Sequence, residues 1–158
     1  MLERRLPSLA VILMAVLLTG FWSADKERDQ AGSFILEKLR QSRDHAWHRL
    51  GAHFFWSYDI EQGCRLRVLR EDKEGGHRLV QQIPVGDTWA QYDGRDQLLI
   101  QCRTASACIR YRQLADGTVR EGQLRRSELP LPRRSDGPKL QDAWMELNRL
   151  CDDRFRPN

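Results

Sequence analysis

The feature that most narrows the fold is the punctuation of the stretch from Phe54 to Leu124. Glu61-Gln62-Gly63, Glu74-Gly75-Gly76, Asp93-Gly94 and Asp116-Gly117 interrupt it at short intervals. The segments left over read as strands. His53-Phe54-Phe55-Trp56-Ser57-Tyr58-Asp59-Ile60 is rich in aromatics. In Cys64–Arg70 the residues Cys64, Leu66 and Val68 alternate with Arg65 and Arg67, the mark of a half-buried strand with its arginines in water. His77–Pro84, Trp89–Tyr92, Gln97–Arg103, Ala107–Gln113 and Thr118–Leu124 follow, and Asp-Gly before the last is a strong hairpin cue. The expectation is a strongly bent antiparallel sheet or small β-barrel of roughly six to seven strands. Gln97–Arg112 reads as two of these strands joined by a short loop, with Cys102 and Cys108 at its lips.

Helices flank this region, which makes the class α+β. Ile35, Leu39, Ala46 and Leu50 have partly helical spacing, with Ser33 placed to cap a helix over about Phe34–His48. Leu129-Pro130-Leu131-Pro132-Arg133-Arg134-Ser135 reads as a connecting loop. Beyond it Asp136 can cap a C-terminal helix over 138–152, and Pro138 suits its first turn. Leu140, Ala143, Trp144, Leu147, Leu150 and Cys151 fall on one stripe of that helix. Burying Trp144, Leu147 and Leu150 would contribute about 1.5–3 kcal/mol each, so the helix should dock on the sheet. Strands closed by one packed helix resemble the plan of pleckstrin-homology-like folds, a likeness of architecture that carries no activity. The chain divides into residues 1–24, a polar helical lead-in at 25–50, and a β-rich domain at 51–158.

Residues 1–24 look like an export signal. Arg4 and Arg5 precede the uninterrupted apolar run Leu9–Leu18. Leu18, Phe21 and Trp22 stand where a cleavage site prefers small residues, so an uncleaved anchor over about residues 6–22 is the alternative. No cysteine directly follows the run, which excludes a bacterial lipoprotein anchor. Either way the domain is expected outside the cytoplasm, periplasmic or extracellular, or held at the inner membrane. Four cysteines in such a chain point to disulfides, with three pairings open. The preferred set is Cys102 with Cys108 and Cys64 with Cys151. Strand alternation opposes it, because Cys102 shares a face with Leu98 and Ile100 whereas Cys108 shares one with Arg110 and Arg112. Directly opposed residues in an antiparallel pair lie on one face, so the short bridge needs a bulge or twist.

The formal charge is +4, and +3 without residues 1–24, a mild excess that favours anionic partners through a general field. Its sharpest local form is an arginine surface of Arg65 and Arg67 on one strand, Arg110 and Arg112 on another, and Arg120 beyond. Arginine forks suit carboxylate and phosphate. Outside the cytoplasm such groups belong to envelope proteins or acidic glycans, and nucleic acid is not expected. The plainer reading is an ordinary solvated sheet face, with Asp116 and Glu121 among the arginines. His45, His48 and His53 form an imidazole cluster able in principle to hold zinc or copper, although HExxH is absent and solvated histidines at a helix end explain it as simply. The aromatic run Phe54–Tyr58 reads first as core. There is no CxxC, no GxSxG and no glycine-rich phosphate loop, so no cofactor is expected. A hydrolase assembled from distant residues, such as His53 or His77 with Asp59 or Glu61, has no motif to declare it. The reading favoured is an exported, disulfide-stapled, non-catalytic interaction domain that binds an anionic protein or glycan surface.

Overall fold

The apolar alternation of the central region becomes eight strands. A computed structural model describes residues 9–41, 54–61, 64–73 and 75–152 of the chain, with side chains from residue 25 onward. The elements are α1 (Leu9–Arg40), β1 (Phe54–Glu61), β2 (Arg65–Asp72), β3 (His77–Pro84), β4 (Thr88–Tyr92), β5 (Gln97–Cys102), β6 (Ile109–Ala115), β7 (Thr118–Leu124), β8 (Arg126–Pro130) and α2 (Gly137–Cys151). The fold is α+β. Four antiparallel hairpins form at the four turn signals, pairing β1 with β2, β2 with β3, β4 with β5 and β6 with β7. Asp116 and Gly117 both take positive φ, 51° and 73°, as a tight hairpin turn with the twist of its strands requires.

The hairpins do not share one sheet, and no closed barrel forms among the described residues. They split into a five-stranded sheet, β1-β2-β3-β6-β7, and a three-stranded sheet, β4-β5-β8. The chain therefore crosses between sheets at three places: a 3-10 turn at Val85–Asp87, the segment 103–108, and the single residue Arg125. All three crossings meet at one corner. The Arg103 amide donates to the Asp87 carbonyl at 2.9 Å, Cys102 N–H to Arg125 O at 2.9 Å, and Cys108 N–H to Leu124 O at 3.2 Å. Thus β5 and β6, expected to form a hairpin, are not paired at all. They leave the same corner into different sheets.

Both disulfides sit at that corner. Cys64 is bonded to Cys151 and Cys102 to Cys108. The face conflict between Cys102 and Cys108 disappears because they are not cross-strand partners: their bridge spans the gap where one sheet gives way to the other. Cys64 holds a left-handed backbone with φ 59°, and its carbonyl accepts from the Val85 amide at 3.0 Å. Each bridge removes freedom from the unfolded chain according to the loop it closes. The separations are 87 and 6 residues.

The helices close the core from one side. Trp56, Tyr58, Leu66, Val68, Ile83, Leu98, Ile100, Ile109, Leu129 and Leu131 from the sheets meet Leu140, Trp144 and Leu147 of α2 and Ile35 and Leu39 of α1. Trp144 is fully buried, whereas Leu150 is only partly covered. Gly137 starts α2 against the Tyr92 ring, where an added Cβ would lie 2.4 Å from the nearest ring carbon. Gln141 Oε1 then accepts from the Tyr92 amide at 2.7 Å, fixing the first turn of the helix to β4.

Three local expectations are corrected. The lead-in helix does not begin at Ser33: α1 is unbroken from Leu9 to Arg40, so Ser33 is interior to it, and residues 42–53 lie outside the described ones. Asp136 makes no side-chain cap to α2. It is buried instead, 4.0 Å from Lys38 of α1. The proline-rich stretch is not all loop, since Arg126–Pro130 pairs with β5. An edge strand tolerates Pro130 because that residue closes it and no further partner needs its amide.

One side chain ties α2 to the corner. Asn148 is buried, and its Nδ2 donates to the carbonyls of Val85 and Thr88, both at 2.6 Å. Asn148→Ala leaves the Thr88 carbonyl without that donor and should cost about 2–3 kcal/mol. Met145→Ala, at an exposed position on the same helix, should stay within about 0.5 kcal/mol. Urea unfolding followed by tryptophan fluorescence measures both, and equal midpoints would remove Asn148 from its structural role.

Candidate functional site

Strand alternation sends alternate side chains to opposite faces, so the register alone decides which arginines can act together. Leu66 and Val68 point into the core, which leaves Arg65 and Arg67 on the outer face of the five-stranded sheet. From β1 to β7 the register lines up Asp59, Arg67, Gln82, Arg110 and Gln123 in one row. The neighbouring row is Ser57, Leu69, Val80, Arg112 and Glu121, and the next is Phe55, Glu71, Arg78, Leu114 and Val119. Opposed positions within a row stand about 4.5–5.5 Å apart at Cβ. Arg67 and Arg110, two strands apart, are therefore separated by roughly 9–10 Å.

These rows line an open trough of about 1050 Å³. Arg67, Arg78, Arg110 and Arg112 stand around it with Gln82 and Gln123 between them, and Val80, Leu114 and Val119 supply apolar floor. Carboxylates are interspersed. Arg67 lies 3.8 Å from Glu61, Arg78 is 3.0 Å from Glu71, and Arg112 is 3.1 Å from Glu121. Arg110 has no carboxylate partner among the described residues, and it is exposed. Exposed ion pairs of this kind contribute about 0–1 kcal/mol. An incoming anion can therefore replace the protein's own carboxylates at little loss.

Of the arginines singled out from the sequence, Arg67, Arg110 and Arg112 come together here. Arg65 shares the face but sits at the end of the sheet, opposite Glu61 and Pro84. Arg120 does not belong to the group. It pairs with Gln113 while its neighbour Glu121 pairs with Arg112, so the alternation sends Arg120 to the other face. Arg78 and Gln82 were missed, although alternation along His77–Pro84 places them with Val80 on one face. Trp56 and Tyr58 are buried in the core, whereas Phe54 is only half-buried and Phe55 is exposed.

The other candidates separate. His45, His48 and His53 lie outside the described residues, and among those described no group of histidine, cysteine and carboxylate side chains is placed to hold a metal. His77 stands at the opposite end of β3 from the Asp59–Gln82 row, on the other face, and its near neighbour is Asp116 at 3.8 Å. It is not brought to Asp59 or Glu61. Among the residues whose side chains are described, no helix is long and apolar enough to cross a membrane, and the run Leu9–Leu18 is not among them.

The two disulfides are compatible with an exported domain held by staples in an oxidising compartment. Replacing Cys64 and Cys151 by serine should lower stability by about 4–5 kcal/mol, and replacing Cys102 and Cys108 by about 2–2.5 kcal/mol, as their loop lengths imply. Thermal and urea unfolding of the two double variants checks the order. The reverse order would mean that strain, and not loop entropy, sets the contribution of each bridge. Comparison with known protein families, with curated proteins and with solved structures finds no match.

Proposed function

We propose that the protein is a non-catalytic binding domain working outside the cytoplasm, and that the trough on the outer face of its five-stranded sheet receives an anionic chain. The observation that carries this is the alternating row Arg67, Gln82, Arg110, Gln123, with Arg110 lacking a carboxylate partner among the described residues. Guanidinium forks grip carboxylates, and the glutamine amides between them can both donate to and accept from hydroxyls. That mixture suits a carboxylate-bearing glycan better than a bare acidic peptide. The apolar floor of Val80, Leu114 and Val119 gives the sugar rings or aliphatic parts of such a chain a surface to cover.

The interaction would be chiefly electrostatic at the rim and therefore weakened by salt. Calorimetric titration with alginate oligosaccharides, and with polyglutamate for comparison, tests it. Arg110→Ala should lower alginate affinity about tenfold, as expected for loss of a charge-assisted contact. Arg112→Ala should lower it less, because that residue is already shared with Glu121. Glu121→Gln should raise it several-fold by releasing Arg112. Unchanged binding of both polymers by the Arg110→Ala, Arg112→Ala pair would sink the reading. Polyglutamate held more tightly than alginate would turn it toward an acidic envelope protein.

A further inference from the structure

The inner face of the five-stranded sheet is not covered along its whole length. Where the three-stranded sheet ends at its edge strand β8, an open cleft of about 480 Å³ remains between β8 and strands β1 to β3. Trp56, Arg70 and Leu79 face each other across three strands as its wall. Below them Ser127 Oγ donates to Gln81 Oε1 at 2.8 Å, joining the two sheets. At the rim Arg126 is paired with Glu128 at 2.9 Å.

Arg70 is the unusual member. It is half-buried, with its guanidinium carbon 4.7 Å from the centre of the Phe54 ring and 5.7 Å from that of Trp56. No carboxylate forms an ion pair with it among the described residues, and Asp72, the next residue on that face, stays beyond such reach. Burial pulls its pKa below the ordinary guanidinium value. This is the direction expected when a cation gives up water without gaining a counter-charge. With Phe54 and Trp56 beside it, the guanidinium still has N–H groups to offer an oxyanion. Trp56, only 4% exposed, has a buried indole N–H with no acceptor among the described residues, as does Trp144 in the core.

The charge of the cleft limits what it can take. Among the residues that line the cleft, Arg70 and Arg126 against Glu128 leave one positive charge, which one carboxylate balances and a phosphate dianion overshoots. The exposed edge of Trp56 and the side chain of Leu79 offer a small apolar surface beside that charge. We infer that this cleft is a second ligand site, separate from the outer trough, and that it takes a small monocarboxylate with an apolar body, the carboxylate on Arg70 and the body against Trp56 and Leu79.

The test is a proton–nitrogen NMR titration of the full chain with benzoate, benzamide and phenyl phosphate, reading the Trp56 indole and Arg70 Nε signals. A Trp56→Phe variant assigns the indole. Benzoate is expected to shift both signals saturably in the micromolar to millimolar range, and benzamide at least tenfold more weakly. Arg70→Gln should weaken benzoate at least tenfold, whereas the Arg110→Gln, Arg112→Gln pair should leave it unchanged. Loss of the outer trough and loss of this cleft are thereby read separately. If Arg70→Gln fails to fold, Arg126→Gln decides: it leaves Glu128 unpaired at the rim and should weaken benzoate several-fold. Absence of a saturable shift, equal binding of benzamide, phenyl phosphate binding as tightly as benzoate, or unchanged affinity in the deciding variant would each overturn the proposal.

Discussion

The structure depends on the corner where three chain crossings meet, and that corner depends on Asn148. A sheet that divides leaves backbone carbonyls and amides at the division without ladder partners. Here the Val85 and Thr88 carbonyls face a helix, where water cannot serve them, and a single buried amide donates to both. The last turn of α2 then closes on the same place. An added Cβ at Gly86 would lie 2.8 Å from the Cys151 carbonyl, Cys151 is bonded to Cys64, and Asp152 accepts from Arg103 at 3.1 Å. Helix, turn and both bridges therefore hold one another. None of these contacts alone would fix the angle between the sheets.

That angle makes both candidate sites. A flat eight-stranded sheet would present its arginines on a plane and would have no gap between layers. Division into five and three strands leaves the outer rows of the larger sheet uncovered, where they line the trough. It also leaves the inner face longer than the smaller sheet can cover, which opens the cleft beside β8. The Gln81–Ser127 hydrogen bond marks the line where covered core becomes open cleft. The stapled corner and both candidate sites are thus consequences of one topological fact.

Much of this was written in the sequence at the level of single strands. Each glycine-containing turn signal produced a hairpin, because positive φ at Gly75, Gly94 and Gly117 leaves the chain few other courses. The faces of Arg67, Arg110 and Arg112 followed from strict alternation. What failed were inferences across elements. Proximity in sequence gives the Cys102–Cys108 bridge but not the pairing of their strands, because the crossing at 103–108 sends those strands to different sheets. Composition groups Arg120 with the other arginines, although the two-residue turn pairs Arg112 with Glu121 and so puts Arg120 on the other face. Asn148 gave no local signal. On an amphipathic helix an asparagine reads as surface, and only the two carbonyls brought by the distant Val85–Thr88 segment make it core.

The two arginine sites differ in the physics that makes them attractive to anions. Around the trough, water and nearby carboxylates already solvate the guanidinium groups, so binding exchanges one set of weak partners for another. On the proposed reading, affinity there would come from several contacts made together along an extended ligand, each screened by salt. Arg70 is different. It has lost water to Phe54 and Trp56 and has gained ring faces in place of a counter-charge. A single anion arriving there meets a cation that little else screens, and its own desolvation is the main opposing term. A long ligand suits the first arrangement and a small one the second, and that follows from burial before any ligand is named.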